Sequence, residues 1–470
     1  MQINSGKINN KKVALILCII TIIIFIYSSI LEKYNIITYT SILVMISIGI
    51  LFLNNFKLIS APIIFLAFYI YVIALGPIIL MYQGKDFGYN YQNIILGTLL
   101  CFFIGNIIAG FFKLKKHNTN LKKIRFKIGI SKKNILYILY FISIIFSVIY
   151  FYKNRIFLFS GDIENGRISA VSGNGILLYG IQLQILIIAM FLDLYYKNKK
   201  NNIDNKRELI ILWGLIFLST IIMLLTGFRS NVMTLYVILF IMYAGKNNIK
   251  SYKIIGCGIV FVFLIAILSI IRSGENVKML QLLLSGLYVN DINLNYVFST
   301  FPKKVEFQHG YTYLINILML KPGPDLDFTL WLKEQIGITF NGGGVTPTIL
   351  GEFYMNFGNL SMYIGMFFLG ILGEKLDNYF NCNNKNFISS FYVWQFAHCA
   401  SGGIANVMII VILFTIVYKS ITLFSNTNIA GVKVDEEWKI RKKGSKSWNL
   451  VYNWKFYIKR MYFFIIAYIH

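Results

Sequence analysis

The decapeptide LLTGFRSNVM, Leu224 to Met233, sets an arginine, Arg229, in a short turn between two strongly apolar runs. A charge at the centre of a membrane helix costs about 2.5–3.5 kcal/mol on insertion scales, so one held close to the apolar runs tends to have a partner. Arginine offers a planar, always-charged fork of donors that fits phosphate or carboxylate. A second chemical stretch is NGGGVTPTILGEFYMNFGN, Asn341 to Asn359, where Glu352, Tyr354 and Asn356 interrupt an apolar run behind three glycines. A desolvated carboxyl there can act as a general base or pair with an arginine to fix helix packing. The glycines allow close backbone approach. Of four histidines, His309 (EFQHGYTYL) and His398 (QFAHCASGG) fall where a proton carrier near neutral pH could work, although packed or solvated roles fit them too. There is no HExxH and no clustered carboxylate, so no metal site is expected. The five cysteines show no CxxC and no paired spacing, which gives neither disulfide nor metal.

The elements carrying these residues are membrane helices. Hydrophobic residues make up 57% of the 470 and charged residues 14%, well below the roughly 25% of soluble domains. Apolar runs near the ~20 residues of a bilayer crossing recur along the whole chain, too long and uniform for barrel strands. The fold class is an all-α polytopic membrane protein of about twelve transmembrane helices. The expected spans are 13–30, 36–54, 58–82, 94–112, 135–151, 176–196, 209–225, 232–244, 254–271, 346–372, 387–400 and 406–424. The first is read as an uncleaved span, because its apolar core exceeds a signal peptide's and no A-x-A site follows. Residues 1–424 form the membrane domain, with outer-face loops at 152–175 and, between the ninth and tenth spans, 272–345. Residues 425–470 form a basic cytoplasmic tail.

Charge orients this topology. The net charge of +26 collects in short segments, as positive-inside loops require, without a nucleic-acid-binding pattern. With the N-terminus inside, cytoplasmic loop 113–134 carries nine Lys/Arg and no acid, and tail 425–460 carries nine against three. The long outer stretch 272–345 balances six basic against six acidic residues and is rich in aromatics, Gly and Pro, which predicts a folded cap with short helices such as one near Leu326 to Ile336. Four of eight arginines (Arg155, Arg167, Arg229 and Arg272) fall on the outer side, against eight of 37 lysines. Arginines gathered at that edge point to an anionic ligand at headgroup level, with snorkelling to the interface as the alternative for Arg155 above all.

The order of elements resembles the Wzy-type O-antigen and oligosaccharide repeat-unit polymerases. It runs from the outer loop SGDIENGRISAVSGNG (Ser160 to Gly175), through the hairpin turn TGFRSN, to a long outer loop closed by GGGVTPTILGEFYMNFG and a last pair of spans. The resemblance implies a metal-independent glycosyltransferase without cofactor in the bacterial cytoplasmic membrane, both termini inside. It would transfer a growing glycan from undecaprenyl diphosphate to another lipid-linked repeat unit at the outer face. It implies Arg229, Arg272, Glu352 and His309 as catalytic residues, with Arg167, Tyr311, Tyr354, Asn356 and His398 binding substrate. Its partners would be the lipid-linked oligosaccharide, membrane lipids and a chain-length regulator protein, and no nucleic acid. Many relatives place an arginine in the last outer turn, where this chain has HCASGGIAN. A ligase-like glycan transferase or a lipid-linked oligosaccharide flippase is the alternative; a flippase calls for polar residues at mid-membrane depth on several spans.

Overall fold

The computed structural model describes residues 4–85, 87–111, 131–154, 174–201, 206–247, 249–258, 260, 279–318, 327–339, 343–383 and 385–424. Among them the chain is helical, with no strand. Helix α1 is Asn4–Ile30 and α2 is Ile36–Leu53; α3, Ala61–Tyr69, passes through a π-helical turn, Ile70–Ala74, into α4, Leu75–Tyr82. The widened turn has a local cause. Pro77 has no N–H and its ring presses on the carbonyl four residues back, at Ile73, so the ladder is re-spaced there. Then follow α5 (Tyr89–Phe111), α6 (Lys132–Asn154), α7 (Gly175–Lys200), α8 (Lys206–Leu225) and α9 (Arg229–Asn247).

Eight described segments are long and apolar enough to cross a membrane: 10–30, 36–53, 61–82, 89–111, 132–154, 175–200, 206–225 and 405–423. Most of the expected span 254–271 lies outside the described residues. The expected span 346–372 is not one helix. Gly358, at φ 78°, breaks it into α13 (Thr348–Phe357) and α14 (Asn359–Cys382). Glycine is needed there, since that φ disfavours any side chain and a Cβ would press on the Phe307 ring at 3.3 Å. The stretch before the break carries more helix than its sequence pattern advertises: α10 (Met279–Thr300), α11 (Thr312–Leu318) and α12 (Phe328–Ile336). Phe301, Ile315, Phe328, Leu332 and Met355 form a small core among them, separate from the main one. The chain closes with α15 (Phe387–Gly402) and α16 (Ala405–Phe424).

The main core depends on close backbone approach as much as on large side chains. A Cβ on Gly105 of α5 would strike the carbonyl of Phe367 on α14, and one on Gly370 of α14 would strike the carbonyl of Phe102 on α5. Such reciprocal small-residue contacts suit helices in lipid, where dispersion and close packing replace the hydrophobic drive. Phe65 stacks on Phe102 at 4.6 Å and meets Phe396 at 4.9 Å, which locks α3, α5 and α15 together.

The two ends of the bundle differ. At one, which we call the basic end, Lys133 pairs with Glu208 at 3.1 Å, Lys246 pairs with Asp193, and Lys385 reaches the carbonyl of Gly245. At the other, the turn between α8 and α9, the end of α15 and the start of α16 meet α11 and α12 around a cavity.

Candidate functional site

The cavity has a volume of about 420 Å³. Its described lining is rich in carboxamides and hydroxyls: Gln182 on α7, Asn231 on α9, Asn316 on α11, Gln395 on α15 and Asn406 on α16, with Asp327 and Thr329 where α12 begins. Local sequence explains each placement. In the hairpin turn, Gly227 adopts φ 75°, and the Thr226 hydroxyl donates to the Met223 carbonyl at 2.6 Å, which ends α8. The chain re-enters immediately, so Arg229 is the first residue of α9. Its neighbours Phe228 and Ser230 both line the cavity.

On α15, Gln395, His398 and Ser401 recur every three residues and share one helix face, which is the face that meets the cavity. The His398 ring stacks on Trp394 at 5.7 Å and 23°, and Trp394 Nε1 donates to the Thr234 hydroxyl at 3.1 Å. The imidazole is thus oriented through a chain of contacts from α9. Asp327 caps α12: its Oδ1 accepts from the Thr329 N–H at 2.7 Å and the Thr329 hydroxyl at 2.6 Å. A Cβ on Gly344 would overlap Thr329, so the glycine run lets 343–346 lie against the start of α12.

Two amide pairs cross the cavity wall. Asn316 Nδ2 donates to Asn406 Oδ1 at 2.7 Å, while Asn316 Oδ1 accepts from the Phe328 N–H at 3.1 Å. Gln182 Nε2 donates to Asn231 Oδ1 at 2.9 Å. The Gln182 Oε1 is buried without a hydrogen-bond partner. A buried acceptor left open beside a cavity is an invitation to a donor from a ligand.

Glu352, Tyr354 and Asn356 do something else. Glu352 is fully buried in α13, a ten-residue helix too short to cross a membrane and outside the spanning segments. Its Oε1 accepts from the Ala405 N–H at 2.9 Å and its Oε2 from the Ile404 N–H, so the carboxyl holds the start of α16. Burial pushes its pKa up to about 7, against the pull of those two amides. Gly403, at φ 75°, gives it room, because a Cβ there would sit 2.5 Å from Oε2. Asn356, also fully buried, accepts from the Gly310 N–H at 2.8 Å and donates to the Thr312 hydroxyl at 2.7 Å. The Tyr354 hydroxyl donates to the Phe301 carbonyl at 3.0 Å. Together they form a brace that fixes Thr312, which opens α11, and Ala405, which opens α16. Those helices carry Asn316 and Asn406.

Of the residues singled out from sequence, His398 lines the cavity and Arg229 opens the helix that borders it. Glu352, Tyr354 and Asn356 form the brace and are not in the cavity wall. His309, at φ 48°, and Tyr311 are exposed on the loop tied down by Asn356. Arg167 and Arg272 lie outside the described residues. The carboxamides were missed, being uncharged and scattered. The signals available were Gln182, set with Gln184 in an otherwise apolar run, and the Gln395–His398–Ser401 spacing. Among the described residues, no three His, Cys, Asp or Glu come together as a metal-binding group.

No curated protein and no solved structure matches the chain. The family model described as O-antigen polysaccharide polymerase Wzy matches residues 13–428, a stretch that contains every described helix except the first turns of α1. This multi-pass membrane protein belongs to the O-antigen polysaccharide polymerase Wzy family.

Proposed function

We propose that the protein is a glycosyltransferase that polymerises undecaprenyl-diphosphate-linked repeat units of an O-antigen or capsular polysaccharide. The basic end faces the cytoplasm, with both termini there, and the cavity opens at the outer face of the cytoplasmic membrane. The observation that carries this reading is the carboxamide-lined cavity beside the TGFRSN turn. Amides and hydroxyls match the alternating donors and acceptors of a sugar, and Gln182 Oε1 lacks a donor that a sugar hydroxyl would supply.

In the reaction, a hydroxyl of the acceptor repeat unit attacks the anomeric carbon of the growing glycan. The bond from that carbon to the diphosphate oxygen breaks, and undecaprenyl diphosphate leaves with the electron pair. The hydroxyl proton passes to His398, the imidazole in the cavity wall. Fixed positive charge at the departing diphosphate lowers the barrier. Arg229 is assigned this task by its place at the start of α9, and Arg167 and Arg272 by their outer-side positions in the sequence. Glu352 and Asn356 act as positioning residues, through Asn406 and Asn316. His309, Tyr311 and Tyr354 are left with the outer loop and its packing. A chain-length regulator is the expected protein partner.

Chromosomal deletion followed by glycan analysis tests the reading. Loss of a polymerase leaves single repeat units on the surface. Loss of a flippase leaves essentially none, and loss of a ligase leaves finished polymer on the lipid carrier. Long surface chains persisting after deletion would overturn the proposal.

A further inference from the structure

At the basic end, far along the helices from the proposed active site, α7, α8 and α9 enclose a second cavity of about 530 Å³. Each helix gives it a single stripe. Tyr195, Tyr196 and Lys199 come from α7, Trp213 from α8, and Phe240 and Tyr243 from α9, at the three- and four-residue spacings of one helix face. The groove is open to the surroundings of the bundle: Trp213 is 61% exposed and Tyr243 51% exposed. Aromatic rings at this level are the usual lining of a membrane interface, where an apolar body meets a polar edge.

The charge at the mouth of the groove is one-sided. Helix α7 has 26 residues, about 39 Å at the helical rise, against a hydrocarbon core of about 30 Å. Its last turn therefore stands at headgroup level, and that turn holds Lys197, Lys199 and Lys200. The nearby carboxylates are already engaged. Asp193 pairs with Lys246 and accepts from the Phe387 N–H at 3.3 Å. Glu208 pairs with Lys133 at 3.1 Å and accepts from Asn198 at 3.0 Å. Among the described residues none of the three lysines of that turn forms an ion pair. An apolar slot whose described rim is cationic fits one kind of membrane component.

We propose that this groove binds an anionic phospholipid, with one acyl chain among the aromatic rings and its phosphate at Lys199 and its neighbours. A zwitterionic lipid would bring its own cation against the same lysines and gain less. The inference rests on the protein being embedded in a membrane and not on the polymerase reading.

The test uses full-length protein in phosphatidylcholine vesicles doped with either brominated phosphatidylglycerol or brominated phosphatidylcholine. Bromine quenches tryptophan on contact, and the difference between the native chain and Trp213→Phe isolates Trp213 among the six tryptophans. Brominated phosphatidylglycerol is expected to quench Trp213 at the lower mole fraction. Lys199→Gln, an exposed substitution, should cut that preference about fivefold, the worth of one lysine near a charged headgroup. Equal quenching by the two lipids overturns the proposal, as does a preference indifferent to Lys197→Gln, Lys199→Gln and Lys200→Gln together. So does an unquenched Trp213, which would mean that protein covers the groove, either a second copy or another segment of this chain.

Discussion

The cavity wall and the brace behind it are both polar, adjoin the same helix ends and share α11 and α16, yet their hydrogen bonds are closed to different degrees. In the brace, both oxygens of Glu352 and both ends of the Asn356 amide are satisfied from within the protein. In the wall, Gln182 keeps an open acceptor and the His398 ring is held by stacking. A closed network specifies geometry and leaves nothing for a ligand, whereas an open one tolerates cost for the sake of binding. Substitutions should therefore separate the two: brace residues through stability, wall residues through turnover.

The largest effect is expected at His398. His398→Ala should lower polymerisation by about 10²–10⁴, the usual worth of a positioned general base, at unchanged protein level. An assay with purified lipid-linked repeat units would measure it. Arg229→Lys keeps the charge but loses the fork, and should shorten the polymer without unfolding the chain. Full activity in His398→Ala would move the proton acceptor elsewhere and blur the contrast between wall and brace.

Glu352 should behave in the opposite way. Glu352→Ala strands two backbone amides at the start of α16, at about 1–3 kcal/mol for each buried donor left unpaired, read as a fall in thermal unfolding temperature. Glu352→Gln keeps one carbonyl acceptor and should lose less. The pH dependence has a definite sign. Because burial lifts its pKa from 4.5 to about 7, the folded chain holds a proton that the unfolded chain releases within that window. Its contribution to stability is therefore present at low pH and lost as pH rises toward about 7. Glu352→Gln should remove that slope. A large loss of turnover with stability and slope untouched would instead make Glu352 a group that meets substrate.

This contrast was only half legible in the sequence. Long apolar runs announced the helical class, and the TGFRSN turn announced a tight hairpin, because membrane span length and positive-φ glycine leave local signatures. Glu352 also stood out, as a carboxyl in an apolar run, but its type could not say whether its partner was a substrate or the amides of Ile404 and Ala405, some fifty residues on. The break at Gly358 was hidden inside a continuous apolar stretch, since only the fold reveals that α13 stops and α14 turns away. Asn316 and Asn406 were silent. Single amides among loops and helix ends become a site only when α11 and α16 bring them within 2.7 Å.

The smallest and most discriminating change is Gln182→Leu. The substitution removes a buried oxygen that has no partner, and it also takes the donor from Asn231 Oδ1. One desolvation cost disappears as another appears, so stability should move by less than about 1 kcal/mol in either direction. If the open oxygen is there for a sugar hydroxyl, the price falls on binding. One lost neutral hydrogen bond of about 0.5–1.5 kcal/mol raises KM for the lipid-linked acceptor by roughly two- to tenfold, with kcat little changed. Gln182→Glu keeps the acceptor and should bind the acceptor better than Gln182→Leu does. A brace residue of equal burial could not give that pattern, because its bonds close on the protein itself. Should Gln182→Leu lower the unfolding temperature as Glu352→Ala does while KM stays fixed, the wall would be scaffold as well, and the sugar would have to lie elsewhere at this end of the bundle.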